Sequence, residues 1–315
     1  MSRPDRRSAS RWPALLAGVV LVAVAAGCGG RSSSSGSSGS AAGSKLQVVA
    51  AENFWGSLAS QLGGDRVQVT SLITSPDTDP HAYEPTAQDA RALASAQYVL
   101  FNGGGYDGWA AQAVDANPAQ GRKVLEVGQL LGLRGGDNPH RWYFPSDVER
   151  VITQITADYK ALDPANAAFY DQQQQSLEAN GLRTYKDLLA QIKQKYAGTP
   201  VGASESIFVG IAQAGGLDLK TPPGYLTAIS EGAEPTAADK ATVDTQIAQH
   251  QIKVFVYNRQ NSTPDVQALV DAAKAAGIEV ATVTETLTPA GTSFEDWQSA
   301  QLRELADALA KATGA

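Results

Sequence analysis

Cysteine and histidine are both scarce in this chain. Its 315 residues hold one Cys and three His. A single cysteine excludes a disulfide framework and any multi-cysteine zinc module. So few histidines leave a nitrogen-ligated metal site with few candidates, each open to inspection. Basic charge is also short. Lys and Arg number 25 against 32 Asp and Glu, for a net charge of −7. A nucleic-acid partner would call for a basic face, so none is expected. Sustained heptads are missing, because 30 Gly and 15 Pro interrupt them. What is left is a chain of 43% hydrophobic residues, long enough for two domains of roughly 100–150 residues each, with real cores.

The N-terminus reads as an address. Arg3, Arg6, Arg7 and Arg11 precede an apolar run from Trp12 to Ala26, shorter than the ~20 residues of a comfortable membrane span. Residues 1–27 therefore fit a secretion signal. The run ends in Ala25-Ala26-Gly27-Cys28, which resembles a bacterial lipobox, with Cys28 lipidated as the first mature residue. Ala25 stands where that pattern prefers Leu or another branched residue. The plain alternative is an ordinary cleaved signal with an incidental Cys. Gly29 to Ser44 is almost all Gly, Ser and Ala, and cannot bury apolar surface. Residues 28–45 are expected to act as a flexible tether of roughly 20–24 Å. The expected location is extracytoplasmic, on a cell membrane through a lipid on Cys28.

From Lys45 the pattern is globular, with strands and helices in alternation. Leu46–Ala51, Val67–Ile73 and Tyr98–Phe101 read as strands; Phe54–Leu62, Ala87–Ser95 and Val148–Leu162 read as helices. After a polar helical stretch from Ala165 to Tyr196, broken only by Gly181, the alternation resumes. Val201, Leu226–Ile229, Val254–Tyr257 and Val280–Val283 mark strands; Ile207–Ala214, Ala237–His250, Pro264–Ala276 and Phe294–Ala312 mark helices. This predicts an α/β fold of two lobes (46–164 and 198–315), each a mostly parallel sheet flanked by helices. A long helix over 165–197 would join them, since ~32 residues span roughly 48 Å. In open α/β sheets ligands bind beyond the C-terminal strand ends, so the loops there are the place to look.

Two of those loops carry a histidine after a proline: Asp79-Pro80-His81-Ala82-Tyr83-Glu84-Pro85-Thr86 and Asn138-Pro139-His140-Arg141-Trp142. Neutral imidazole is the commonest protein metal ligand, although a lone loop histidine is more often plain surface. His250, at a helix end, reads as a surface residue.

Together with Asn102-Gly103, Trp109 and Leu162-Asp163-Pro164-Ala165-Asn166, these motifs resemble the zinc/manganese-binding receptor family of bacterial metal ABC importers. The resemblance covers nearly all of 46–315. It implies two pseudo-symmetric α/β lobes joined by one long helix, a metal between them, and two ligands from each lobe. His81 and His140 match the first two. The resemblance puts the third at Glu205, in Ala203-Ser204-Glu205-Ser206-Ile207-Phe208, where some members carry His. It puts the fourth at Glu285, in Val283-Thr284-Glu285-Thr286-Leu287, where Asp is more usual. Without it, Glu205 reads as a helix-start carboxylate and Glu285 as a solvated loop charge. The family's second motif usually continues Trp-Leu-Asp-Pro, whereas here it is Trp142-Tyr143-Phe144-Pro145. That removes a carboxylate which could orient His140. The His-rich loop of many zinc-specific members is absent too.

Two imidazoles and two carboxylates suit Zn2+ as a tetrahedron. They suit Mn2+ if a carboxylate binds through both oxygens. Glu205 and the missing His-rich loop lean to manganese; raw affinity leans to zinc. The resemblance implies a monomeric, non-enzymatic receptor that captures the ion and delivers it to a membrane permease. Two rivals are a hydrolase-type metalloenzyme, for which no HExxH-type helix is visible, and a receptor for an organic solute lined by Trp55, Trp109 and Trp142.

Overall fold

The computed structural model describes residues 45–314 apart from Asp77, Asp79 and Ala82. The expected signal peptide, Cys28 and nearly all of the tether lie outside the described residues. The first lobe carries β1 (Leu46–Glu52), α1 (Asn53–Gly63), β2 (Val67–Ile73), α2 (Ala87–Ser95), β3 (Tyr98–Phe101), α3 (Gly108–Ala116), β4 (Lys123–Glu126), α4 (Val127–Leu131) and α5 (Pro145–Leu162). Its strands run in the order β2-β1-β3-β4, all parallel. The connection to the second lobe is α6 (Ala167–Ser176) and α7 (Arg183–Tyr196). Then follow β5 (Pro200–Ala203), α8 (Val209–Ala214), β6 (Asp218–Leu219), α9 (Pro223–Ser230), α10 (Ala237–Ala248), β7 (Val254–Asn258), α11 (Pro264–Ala275), β8 (Glu279–Val283) and α12 (Phe294–Thr313). The second sheet has the order β6-β5-β7-β8, again all parallel. The two orders are the same permutation, which is the pseudo-symmetry.

Three details differ from the sequence expectation. The apolar run Leu226–Ile229 lies inside helix α9, not in a strand. Pro223 occupies its first turn, where a fixed φ and a missing N–H suit a helix start. A four-residue apolar run cannot by itself separate strand from helix. The short strands β4 and β6 were not anticipated. The helix expected over 165–197 is interrupted as well. A π turn spans Leu177–Gly181, closed by the Leu182 N–H donating to the Leu177 carbonyl (2.8 Å).

The two lobes share one apolar core. It runs from Leu46, Trp55 and Leu100 through Ile155, Tyr185 and Ile192 to Val201, Val256, Trp297 and Leu309. A polar seam reinforces it. Asn53, Ser57 and Gln61 fall four residues apart on one face of α1. Asn53 Oδ1 accepts the Leu287 N–H (3.2 Å), Ser57 Oγ accepts the Phe294 N–H (3.0 Å), and Gln61 Nε2 donates to Glu295 Oε2 (2.9 Å). The start of α12 is thus held by the first lobe.

The lobes approach closely where α8 meets the Arg141–Tyr143 turn. A Cβ on Gly210 would lie 2.3 Å from the Tyr143 carbonyl oxygen. Gly210→Ala should therefore lower the urea unfolding free energy by about 1–3 kcal/mol. An unchanged urea midpoint would show that this contact has room to relax.

Candidate metal centre

Three of the four candidate ligands follow the C-terminal end of a strand, His81 after β2, Glu205 after β5 and Glu285 after β8; His140 lies in the loop between α4 and α5. The motif around His81 has a mechanical reading. Thr86 and Asp89 form a capping box at the start of α2. Asp89 Oδ2 also accepts the Tyr83 hydroxyl (2.7 Å). On the other side, Trp109 Nε1 donates to the Pro80 carbonyl (2.9 Å). The loop is thus staked on both sides of His81, which is itself exposed. Its ring packs edge-on against Tyr106, with centroids 4.6 Å apart. Gln260 ties the same loop to the second lobe. It donates to the Pro76 carbonyl, while its Oε1 accepts the Thr286 N–H (2.9 Å).

His140 is fully buried. Asn138 Nδ2 donates to the Ser206 carbonyl (2.7 Å), which leaves Asn138 Oδ1 to accept the His140 N–H (3.0 Å) and to face His140 Nδ1 (2.9 Å). An acceptor at Nδ1 places the ring proton there and leaves the Nε2 lone pair free to bind metal. Nε2 has no hydrogen-bond partner and lies 3.6 Å from Glu285 Oε1. Asn138 thus does the orienting that the missing carboxylate of the second motif would do. Asn102 holds the preceding residue, its Nδ2 donating to the Pro139 carbonyl (2.9 Å).

Neither carboxylate follows its plain reading. Glu205 caps no helix and is 1% exposed. Its Oε2 accepts Asn261 Nδ2 (2.8 Å), and its Oε1 has no partner. Glu285 is not solvated. Its Oε2 accepts the Tyr106 hydroxyl (2.9 Å) and its Oε1 accepts Asn258 Nδ2 (2.8 Å). Burial, with the Glu285 charge beside it, pushes the Glu205 carboxyl up to about 7. Burial acts upward on Glu285 too, but the imidazoles of His140 and His81, when protonated, together with the Tyr106 hydroxyl, outweigh it and hold Glu285 below the usual carboxylate range.

The structure thus brings His140, Glu205 and Glu285 together, with His81 at the cleft mouth. Cavities of about 640 and 620 Å³ flank His81 and share Ser230 and Glu231. Among the described residues, no three His, Cys, Asp or Glu are yet gathered closely enough to hold one ion. His250 lies apart, exposed after α10. Tyr106, Asn258 and Asn261 were not anticipated. A weak signal for Tyr106 was its place just after the Asn102-Gly103 turn. Glu52 is fully buried beside the Asp107 carboxylate; burial and that neighbour push its carboxyl well above the usual range. Asp107 in turn accepts the N–H groups of Asn102 (2.7 Å) and Gly103 (2.6 Å), fixing the loop that presents Tyr106.

Comparison with known proteins adds to this picture. A family model described as zinc-uptake complex component A, periplasmic, matches residues 48–308. Similar curated proteins include the manganese ABC transporter substrate-binding lipoprotein PsaA of Streptococcus mitis, 24% identical over 78% of this chain and 80% of PsaA. The zinc-binding lipoprotein AdcA of Streptococcus pneumoniae is 26% identical over 83% of this chain, but the match spans only 55% of AdcA. Among solved structures, an Mn-bound periplasmic metal binding protein from Candidatus Liberibacter asiaticus superimposes with a TM-score of 0.70 at 22% identity, covering 84% of this chain and 100% of that one. FpvC of P. aeruginosa in complex with Ni2+ gives 0.69 at 22% identity, covering 85% and 97%. These structures share the fold.

The raised Glu205 carboxyl has a thermodynamic consequence. Between its ordinary value of 4.5 and about 7, the folded metal-free chain keeps a proton that the unfolded chain has lost. Its contribution to stability is whole at low pH, declines as pH rises through that window, and is gone above it. Metal-free Glu205→Gln should therefore be more stable than metal-free wild type at pH 8, with the gap shrinking toward pH 5. Urea midpoints at the two pH values test this; a gap that does not narrow would contradict it.

Proposed function

The chain belongs to the periplasmic zinc-uptake component A family, and from that premise we propose that it is the extracytoplasmic receptor of a metal ABC importer. It captures a divalent ion, manganese or zinc, between its lobes and delivers it to a membrane permease. It binds its cargo and does no chemistry on it. The observation that carries this reading is the pair of buried atoms with no partner, His140 Nε2 and Glu205 Oε1, beside Glu285. An oriented imidazole lone pair, a free carboxylate oxygen and a second carboxylate suit a cation. Two carboxylates neutralise its charge; without it they repel. His81 completes the set from the cleft mouth, and Cys28 carries a lipid anchor that keeps the monomer at the membrane.

The organic-solute alternative loses its support. Trp55 and Trp142 lie in the core at 0% exposure, and neither they nor Trp109 line the two large cavities.

Protein purified without chelator should carry one divalent ion per chain. His140→Ala and Glu205→Ala should each weaken binding by at least roughly 100-fold, since each removes a ligand held by its own orienting partners. Competition with a fluorescent chelator measures this, and indifference to both changes would end the receptor reading. Affinity should also fall from pH 7.5 to pH 5.5, because protons compete for Glu205 and for both imidazoles; a flat profile would count against these ligands. Cys28→Ser should move the protein from the membrane fraction to the soluble fraction of cells, and a variant that stays with the membrane would overturn the anchor assignment.

A further inference from the structure

Two asparagine amides grip the two glutamates from the second lobe. Asn258 ends β7 and is fully buried. Its Oδ1 accepts the Gln260 N–H (3.0 Å), which fixes the amide so that Nδ2 faces Glu285 Oε1 (2.8 Å). Its own N–H donates to Ser204 Oγ (3.1 Å), so the residue has no freedom to turn away. Asn261 is fixed as firmly. Its Nδ2 meets only acceptors, Glu205 Oε2 (2.8 Å) and the Ile229 carbonyl (3.3 Å). Neither amide can flip without facing an oxygen with an oxygen. On Glu285 the remaining oxygen, Oε2, accepts the Tyr106 hydroxyl from the first lobe.

Resting on the receptor reading above, we propose that Asn261 and Tyr106 are selectivity residues: each donates to Oε2 of one glutamate so that it offers a metal only Oε1, which closes the set at four protein donors and favours zinc over manganese. A carboxylate that chelates through both oxygens must turn both toward the ion. An amide N–H pulling on Glu205 Oε2 holds that oxygen away, and Oε1 alone is left for the ion. The Tyr106 hydroxyl holds Glu285 Oε2 away in the same manner, and Oε1, which Asn258 steadies 3.6 Å from His140 Nε2, is the oxygen left for the ion. Two imidazole nitrogens and two single oxygens make the tetrahedral set that zinc takes. Manganese, which favours more oxygen donors and a larger shell, loses its extra oxygens. The glutamates alone would have suited manganese; their partners remove the feature that suits it.

A bare preference for zinc would not test this, because zinc outbinds manganese on most such sites. The ratio of the two affinities, compared between wild type and Asn261→Ala, does. Freeing Glu205 Oε2 should tighten manganese relative to zinc by roughly 10-fold, the scale on which orienting partners act. Zinc and manganese ions alone serve as probes, with affinities from chelator competition on the full chain. A second measurement needs no variant. In the infrared difference spectrum of zinc-loaded minus metal-free wild type, one-oxygen ligation widens the gap between the two carboxylate stretches, and two-oxygen ligation narrows it. Zinc-edge X-ray absorption should count four nitrogen or oxygen neighbours. The clamp is supported by a widened gap in wild type that narrows in manganese-loaded Asn261→Ala, together with the shifted ratio. It is overturned by a narrowed gap or five or more neighbours in zinc-loaded wild type, or by a ratio unmoved within about twofold in an Asn261→Ala that still binds one ion. Wild type that binds neither ion overturns the receptor reading itself, which is a different result from either.

Discussion

Two carboxylates and an imidazole, Glu205, Glu285 and His140, lie buried close enough to shift one another's charge. Glu205 and Glu285 repel each other, and burial adds to the penalty for each. Such a cluster holds together only if other groups supply donors, and the neighbouring segments do so. Asn258 and Asn261 come from the end of β7 and the turn after it, and Tyr106 comes from the loop after β3. His140 takes its tautomer from Asn138, which is itself held by the Ser206 carbonyl of the other lobe. These partners come from both lobes. The site therefore exists only when both lobes are folded and packed.

That dependence explains the rigidity between the lobes. A hinge that opened freely would strip Glu285 of Tyr106 and Asn138 of Ser206, exposing the groups it means to present. The structure opposes such opening with a shared core, the α1 seam, and the Tyr143 hydroxyl donating to the Thr284 carbonyl (2.9 Å) next to Glu285. The one candidate ligand outside this frame is His81. It is exposed, on a loop staked at Pro80 and Tyr83. His140, Glu205 and Glu285 are thus each oriented by their own hydrogen-bond partners, although among the described residues no three such groups yet gather closely enough to hold one ion. Ordering three ligands before the ion arrives lowers the conformational entropy lost on binding.

The sequence made some of this legible and hid the rest, for physical reasons. Strands buried on both faces, such as Tyr98–Phe101 and Val254–Tyr257, are short apolar runs bounded by turns, and they stand out. Leu226–Ile229 looks the same and is a helix, because Pro222-Pro223-Gly224 starts one there. β6 is two residues long, too short to carry a period. In the site, the histidines announce themselves because rigid prolines and capping residues must surround them in sequence. The partners of the glutamates do not, because they act across the fold. Tyr106 and Glu285 are 179 residues apart, and Asn261 and Glu205 are 56 apart. An asparagine that closes a strand has the same local pattern whether it faces solvent or a buried carboxylate.

The same distances decide what the metal-free protein is. With no cation present, the site still has to limit its charge, and Glu205 does so by holding a proton to about pH 7 while Glu285 remains ionised beside His140. The division is set by position. Glu285 takes two hydrogen bonds and lies next to the imidazole, so its charge is the one that survives. Glu205 has one bond and an idle oxygen, so its charge is the one that yields. The proton on Glu205 occupies the place of half the charge of a divalent ion. An ion taken by Glu205 would displace that proton, and acid would restore it.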